Sequence, residues 1–259
     1  MRTVAAIYTS PVKSFALQTP SSVHVGYSGI AEDRRFHLID VRGRLLTQRQ
    51  LGRMVLITAA YNVETERLTL GFPDGRQLEN TVDVSEVVTT EVWGRVVQGA
   101  VAEGEWNGAL SDFCQADVRL VKTDGICQTF DEYPISLVSQ ASIDFLGEKS
   151  GGSKTFESRR FRPNFLIDGC SPHEEDFWLG GVIRIGPELR LRLVAPDPRC
   201  AITTLDPATG ERDFDTPRLM LTYRPSVRAP YFGVYASVEA PGLVSLGDKV
   251  DLHIPPVRR

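Results

Sequence analysis

Leu189-Arg190-Leu191-Arg192-Leu193-Val194-Ala195 alternates apolar and cationic side chains, and Pro198-Arg199-Cys200 follows it. Alternate residues of a strand share one face, so this run predicts a β-strand packed on one side and wet on the other. The same signature recurs upstream. Val4 to Tyr8, Ser21 to Tyr27, Phe36 to Asp40, Val55 to Tyr61, Leu68 to Phe72 and Val92 to Ala102 are short and rich in β-branched or aromatic residues. Tyr27-Ser28-Gly29, Arg42-Gly43 and Pro73-Asp74-Gly75 separate them as turns. Asn164 to Ile167, Val182 to Ile185, Tyr231 to Glu239 and Leu243 to Leu252 extend the pattern, the last with Gly247-Asp248 in a turn. Many short, closely spaced strands predict a barrel or sandwich.

Helical signals are few. Trp106, Leu110 and Phe113 share one face of a helix over Glu105 to Cys114. Ser139 is placed to cap a helix running to Leu146, with Gly147 as its stop. Thr216-Pro217 opens a short helix to about Tyr223, read as cap and first residue. The expected architecture is mainly β (α+β), in two domains: a β-barrel-like domain over 1–103 and a second β-barrel domain with a few short helices over 104–259.

Composition narrows the function classes. With 259 residues, 42% hydrophobic and 24% charged, the chain is ordinary for a globular protein. A net charge of −4 gives no general attraction to nucleic acid. No apolar run is long enough to span a bilayer, and no secretory leader opens the chain, so no membrane partner is expected. Four cysteines in so long a chain make no disulfide scaffold, so a reducing, cytoplasmic setting is expected. Cys114, Cys127, Cys170 and Cys200 form no C-x-x-C pair, and the four histidines form no zinc motif. Neither an iron–sulfur cluster nor bound haem is expected. Gly147 to Thr155 resembles a phosphate-binding loop but has a serine between its second glycine and its lysine, and it follows a helix.

The residues that carry chemistry are a thiol and several cations. Cys200 next to Arg199, on a loop leaving a strand, is placed to act as a thiolate toward an electrophile or a soft metal. The same cysteine could be a small buried hydrophobe. Arg159-Arg160-Phe161-Arg162-Pro163-Asn164 carries three fork-shaped donors in four residues, a pattern suited to phosphate. Pro11-Val12-Lys13-Ser14 could hold an anion or simply be a solvated loop. Asp33-Arg34-Arg35 could be a surface ion pair. Asp206-Pro207-Ala208-Thr209-Gly210 reads as the turn that folds the chain back after Cys200.

Taken in order, these segments resemble a known family. Pro11-Val12-Lys13-Ser14, Gly29 to Arg34 and Leu46-Thr47-Gln48-Arg49-Gln50 resemble the N-terminal β-barrel that precedes MOSC domains. Asp131-Glu132-Tyr133-Pro134, Ser139 to Ser142, Arg160 to Asn164, Asp168-Gly169-Cys170, Glu175 to Trp178, Arg199 to Gly210 and Val244 to Asp248 resemble the MOSC domain itself. The branch is that of the mitochondrial amidoxime-reducing component and its bacterial relatives. The resemblance implies a molybdenum cofactor (molybdenum-pterin) between the two domains, with Cys200 as the thiolate ligand to molybdenum and the catalytic position. It implies that Lys13, Ser14, Arg34, Arg160, Arg162, Asn164 and Arg199 hold the pterin and its phosphate, and that Asp131 and Tyr133 line the same pocket. The implied activity is reduction of N–O bonds in small N-hydroxylated compounds, with electrons from a separate flavin, ferredoxin or haem protein. The alternative is a non-catalytic carrier of the cofactor or of persulfide sulfur. No pyridoxal-phosphate region is visible.

Overall fold

The computed structural model describes residues 1–224 and 230–253. Strands dominate, as the alternating runs require. Seven of them form a sheet in the order Thr3–Ile7, Phe165–Asp168, Ile135–Ser139, Tyr231–Ala240, Leu189–Pro198, Val182–Ile185, Val250–His253. Its two outer strands come back together: Thr3 bridges Lys249, and Val4 and Val250 bond backbone groups of the opposite segment. The sheet is therefore nearly closed into a barrel. Leu189, Leu191 and Leu193 are fully buried inside it while Arg190 and Arg192 face water. Burying each such leucine stabilises the fold by roughly 1.5–3 kcal/mol.

A five-stranded sheet forms the other half, ordered Leu45–Leu46, Phe36–Ile39, Arg119–Thr123, Arg95–Ala102, Val84–Val92. A meander of Thr58–Asn62, Arg67–Gly71 and Gln77–Thr81 packs with it. Phe36, Leu38, Met54, Ile57, Tyr61, Leu68 and Leu110 belong to its core, with the Phe36 and Tyr61 rings edge to face at 4.9 Å. The helix Trp106–Cys114 and the strand Arg119–Thr123, both after position 103, pack into this front half.

Sequence order and spatial halves interleave at the N-terminus. Val4, Ile7, Val25 and Ile30 are in the back core, whereas Val12 and Phe15 are in the front core. The segment around Lys13 thus lies where the chain crosses between the two cores.

Several local expectations need correction. Val92 to Ala102 is one arm of a hairpin: Trp93 and Gly94, with φ of 51° and 82°, turn Val84–Val92 into Arg95–Ala102. Two successive left-handed residues suit a tight hairpin, but a tryptophan there is not a usual turn marker. Gly52–Leu56 is a 3₁₀ turn, so the strand expected from Val55 begins at Thr58. The helix capped by Ser139, whose side chain accepts from the Ser142 N–H, runs past Gly147 to Lys149. Asp215, not Thr216, caps the helix Thr216–Leu221 by accepting from the Arg218 N–H. Among the described residues no helix is long and apolar enough to cross a membrane.

Candidate functional site

A small cleft, about 50 Å³ in volume, opens between the two halves, and its walls come from five separate stretches of chain. Arg34, Asp131, Tyr133, Arg160, Arg162, Asn164, Arg199 and Cys200 all line it. Lys13 and Ser14 stand directly behind the front wall, both buried. The ten residues expected at the site are therefore within one neighbourhood, although they span 188 positions of sequence from Lys13 to Cys200.

The front wall is built on the crossing segment. Val12 pairs with Phe36, the Lys13 N–H donates to Phe36 O at 2.8 Å, and the Phe36 N–H donates to Pro11 O at 2.9 Å. These bonds fix Lys13 so that its Nζ reaches the Thr129 carbonyl and Asp131 Oδ1, each at 2.7 Å. Burial lowers the Lys13 pKa, with Asp131 opposing that shift. Asp131 also accepts from Trp93 Nε1 at 2.8 Å. Against the cost of burial, Lys13, Arg34 and Trp93 hold its carboxyl below the usual range. Its side chain is 52% exposed, so water screens part of that effect.

Asp33 joins the halves. Fully buried, it accepts from the Ser10 N–H at 2.7 Å, from Asn164 Nδ2 at 3.0 Å and from Arg34 Nη1. The Arg34–Asp33 pair is thus an interior one, not the surface pair that the sequence allows. Asn164 is committed at both ends, since its Oδ1 accepts from the Ser136 N–H at 3.1 Å.

The three clustered arginines part company. Arg159 is half-buried and pairs with Glu157. Arg160 is buried and grips Asp213 with both terminal nitrogens at 2.7 Å, while its Nη1 also donates to the Leu205 and Thr203 carbonyls at 2.9 and 3.1 Å. Against the cost of burial, Arg160 and Lys154 bring the Asp213 carboxyl down to about 2. Arg162 has φ 51°, and its Nη2 donates to Phe15 O at 2.8 Å. Burial, then the nearby Arg34 charge, lowers its pKa to about 10. The 3₁₀ turn Ser158–Phe161, ending in left-handed Arg162, sends the three side chains in different directions.

The back wall carries the thiol. Arg199 donates through Nε to Phe232 O and through Nη1 to Phe161 O, both at 2.7 Å, which fixes the loop carrying Cys200. Its Nη2 lies 2.8 Å from Asp197 Oδ2, an ion pair between two buried side chains. Cys200 is half-buried, with no disulfide, and Arg49 Nη2 of the front half points at its sulfur from 2.9 Å. Arg49 in turn stacks on Trp93, 4.2 Å from the ring centre.

Sequence reasoning missed Asp197, Tyr235, Ser136, Arg49 and Trp93. Asp197 and Tyr235 carry a readable trace, since an acid three residues before the thiol and a tyrosine in an apolar strand are polar groups at core positions. Arg49 and Trp93 meet Cys200 and Asp131 only through the fold. Among the described residues no three His, Cys, Asp or Glu side chains converge as a metal site. A metal at Cys200 would need donors brought by something other than protein.

A model of the MOSC N-terminal beta barrel domain matches residues 1–117, and one of the MOSC domain matches residues 124–251. Mitochondrial amidoxime reducing component 2 of Homo sapiens is 30% identical over 283 residues, which cover 96% of this chain and 82% of that protein. Mitochondrial amidoxime reducing component 2 of Bos taurus is 29% identical with the same coverage. The crystal structure of the YUAD protein from Bacillus subtilis is similar at 15% identity and a TM-score of 0.47, covering 98% of this chain and 97% of that one.

Proposed function

The chain belongs to the MOSC-domain family that includes the mitochondrial amidoxime-reducing components, and on that premise we propose that it is a molybdenum-cofactor-dependent reductase of N–O bonds in small N-hydroxylated compounds. The observation that carries the reading is the position of Cys200: a half-buried thiol at a cleft lined by Arg34, Arg160, Arg162 and Arg199.

The residues present fit a molybdenum-pterin. One protein sulfur is available, and the dithiolene of a pterin supplies the further soft donors that this chain lacks. Four arginines against two aspartates, Asp131 and Asp197, leave the lining net cationic, as an anionic cofactor needs. Arg34, Arg162 and Arg199 would hold the pterin and its phosphate, and Cys200 would bind the metal. Arg160 and Asn164 brace the walls through Asp213, Asp33 and the Ser136 N–H. Lys13, with Ser14 beside it, fixes the Asp131 segment from behind.

When bound, the cofactor supplies two-electron redox chemistry, with electrons from a separate donor protein of flavin, ferredoxin or haem type. The chain's own part is to bind, orient and set the charge around the substrate. Cys200→Ser should abolish amidoxime reduction, measured with a reduced electron-donor protein, while the circular-dichroism spectrum stays that of the wild type. Undiminished turnover in the serine variant would overturn the assignment. Molybdenum bound by the wild type without turnover under flavin, ferredoxin and haem donors would favour a cofactor carrier.

A further inference from the structure

Two carboxyl groups line the cleft, and their surroundings are opposite. Asp131 is half exposed and tied to Lys13 and Trp93. Asp197 is 2% exposed and has no lysine partner. It sits between Pro196 and Pro198 at the end of the strand Leu189–Pro198, where the pairing slips: Pro196 faces Val234, but Pro198 faces Tyr231. Gly233, with φ 81°, lies in the slipped stretch. A Cβ there would lie 2.4 Å from Leu137 O, so a side chain has no room. A slip of this kind re-aims side chains, and Asp197 lines the cleft with Cys200 and Tyr235.

The charged and titratable groups facing Asp197 are few. Arg199 of its own segment touches Oδ2 at 2.8 Å. Tyr235 of the adjoining strand pulls its pKa down from within the cleft, and Arg34 and Asp131 act from the front wall. Burial pushes the Asp197 carboxyl up to about 7, against the pull of Arg199. The same cleft thus holds one carboxyl whose surroundings favour the ionised form and one whose burial favours the protonated form, the arrangement that separates a fixed charge from an acid.

We propose that Asp197 is the proton donor of this cleft, its Oδ1 carrying the proton that goes to the hydroxyl oxygen of an N-hydroxylated substrate as the N–O bond breaks. The proposal rests on the N–O-reductase reading above. The reduction takes two electrons and two protons. The electrons come from the separate electron-donor protein. One proton comes from Asp197, and the oxygen leaves as water; the other comes from solvent and ends on nitrogen. Arg199 beside Oδ2 and the Tyr235 hydroxyl then stabilise the carboxylate until solvent returns its proton.

The test has two arms. In infrared titration of the protein free of cofactor, a carboxylic-acid band should be present at about pH 5 and fade through about pH 7. The band should be missing in Asp197→Asn. Tyr235→Phe, which keeps the carboxyl, should move the fade point to higher pH, because a donor to the carboxylate has been removed. In the loaded enzyme, kcat should fall as pH rises through that same range. Asp197→Asn should lower kcat by about 10²–10⁴-fold with KM little changed, and should lose that limb. A reductase without the band, or an asparagine variant with wild-type kcat and pH profile, overturns the proposal while leaving the N–O-reductase reading standing. A molybdenum-loaded wild type inert toward N-hydroxylated compounds overturns both.

Discussion

The two lips of the cleft are held by different physics. The front lip, Ser10 to Phe15, is tied by backbone bonds to the strand Phe36–Ile39 and its approach: Lys13 N to Phe36 O, Phe36 N to Pro11 O, Arg34 N to Ser10 O. The back lip, Pro198 to Leu205, is fixed chiefly by two buried guanidiniums: Arg160 holds the Thr203 and Leu205 carbonyls, and Arg199 reaches the Phe232 and Phe161 carbonyls. Where a sheet supplies the partners, lysine and serine can be placed by main chain alone. Where the chain leaves the sheet, arginine side chains satisfy the carbonyls that a ladder would otherwise cover.

This contrast can be broken from either side. Arg160→Ala removes the buried donor of the Thr203 and Leu205 carbonyls, while the exposed Asp213 keeps Lys154. It should cost about 2–4 kcal/mol of stability, read from urea unfolding, and should expose Cys200 to alkylation. A loss below about 1 kcal/mol would show that the back lip stands on its main chain. Gly210→Ala tests the seam itself. Gly210 has φ 74°, and a Cβ there would lie 2.2 Å from Gly52 O of the front half. The expected cost is about 1–3 kcal/mol, because backbone must move on one side or the other.

Lys13→Met is the mildest. It replaces a buried ammonium with an apolar chain of similar length, so stability near pH 7 should change by less than about 1.5 kcal/mol. Its signature is in the pH dependence. Asp131 has a lowered pKa in the folded protein. Its contribution is present above the unfolded value of about 4 and is lost as pH falls through the folded value. The methionine variant should therefore show a shallower loss of stability on acidification. An unchanged acid slope would mean that Trp93 and Arg34 hold Asp131 without the lysine.

The back half was more legible than the site. Leu189, Leu191 and Leu193 announce their strand because burial on one face writes a period of two into the chain. The turn at Asp206 was equally plain: Asp206 Oδ1 accepts from the Ala208 N–H at 2.7 Å, and the Gly210 N–H returns to Asp206 O at 2.8 Å. The arginine cluster misled in part. Spacing shows three cations together, but not that Arg160's partner, Asp213, waits 53 residues downstream. Asp33 shows the same limit, since its partners Ser10 and Asn164 are neighbours in space but far apart in the sequence. Pair partners set by long-range packing leave no local period.

The most direct measurement is molybdenum and pterin content per chain in protein purified from a host that makes the cofactor, wild type beside Cys200→Ser. The account predicts close to one of each in the wild type and loss of molybdenum in the serine variant. A wild-type protein that carries neither, or a serine variant that keeps its molybdenum, would contradict it.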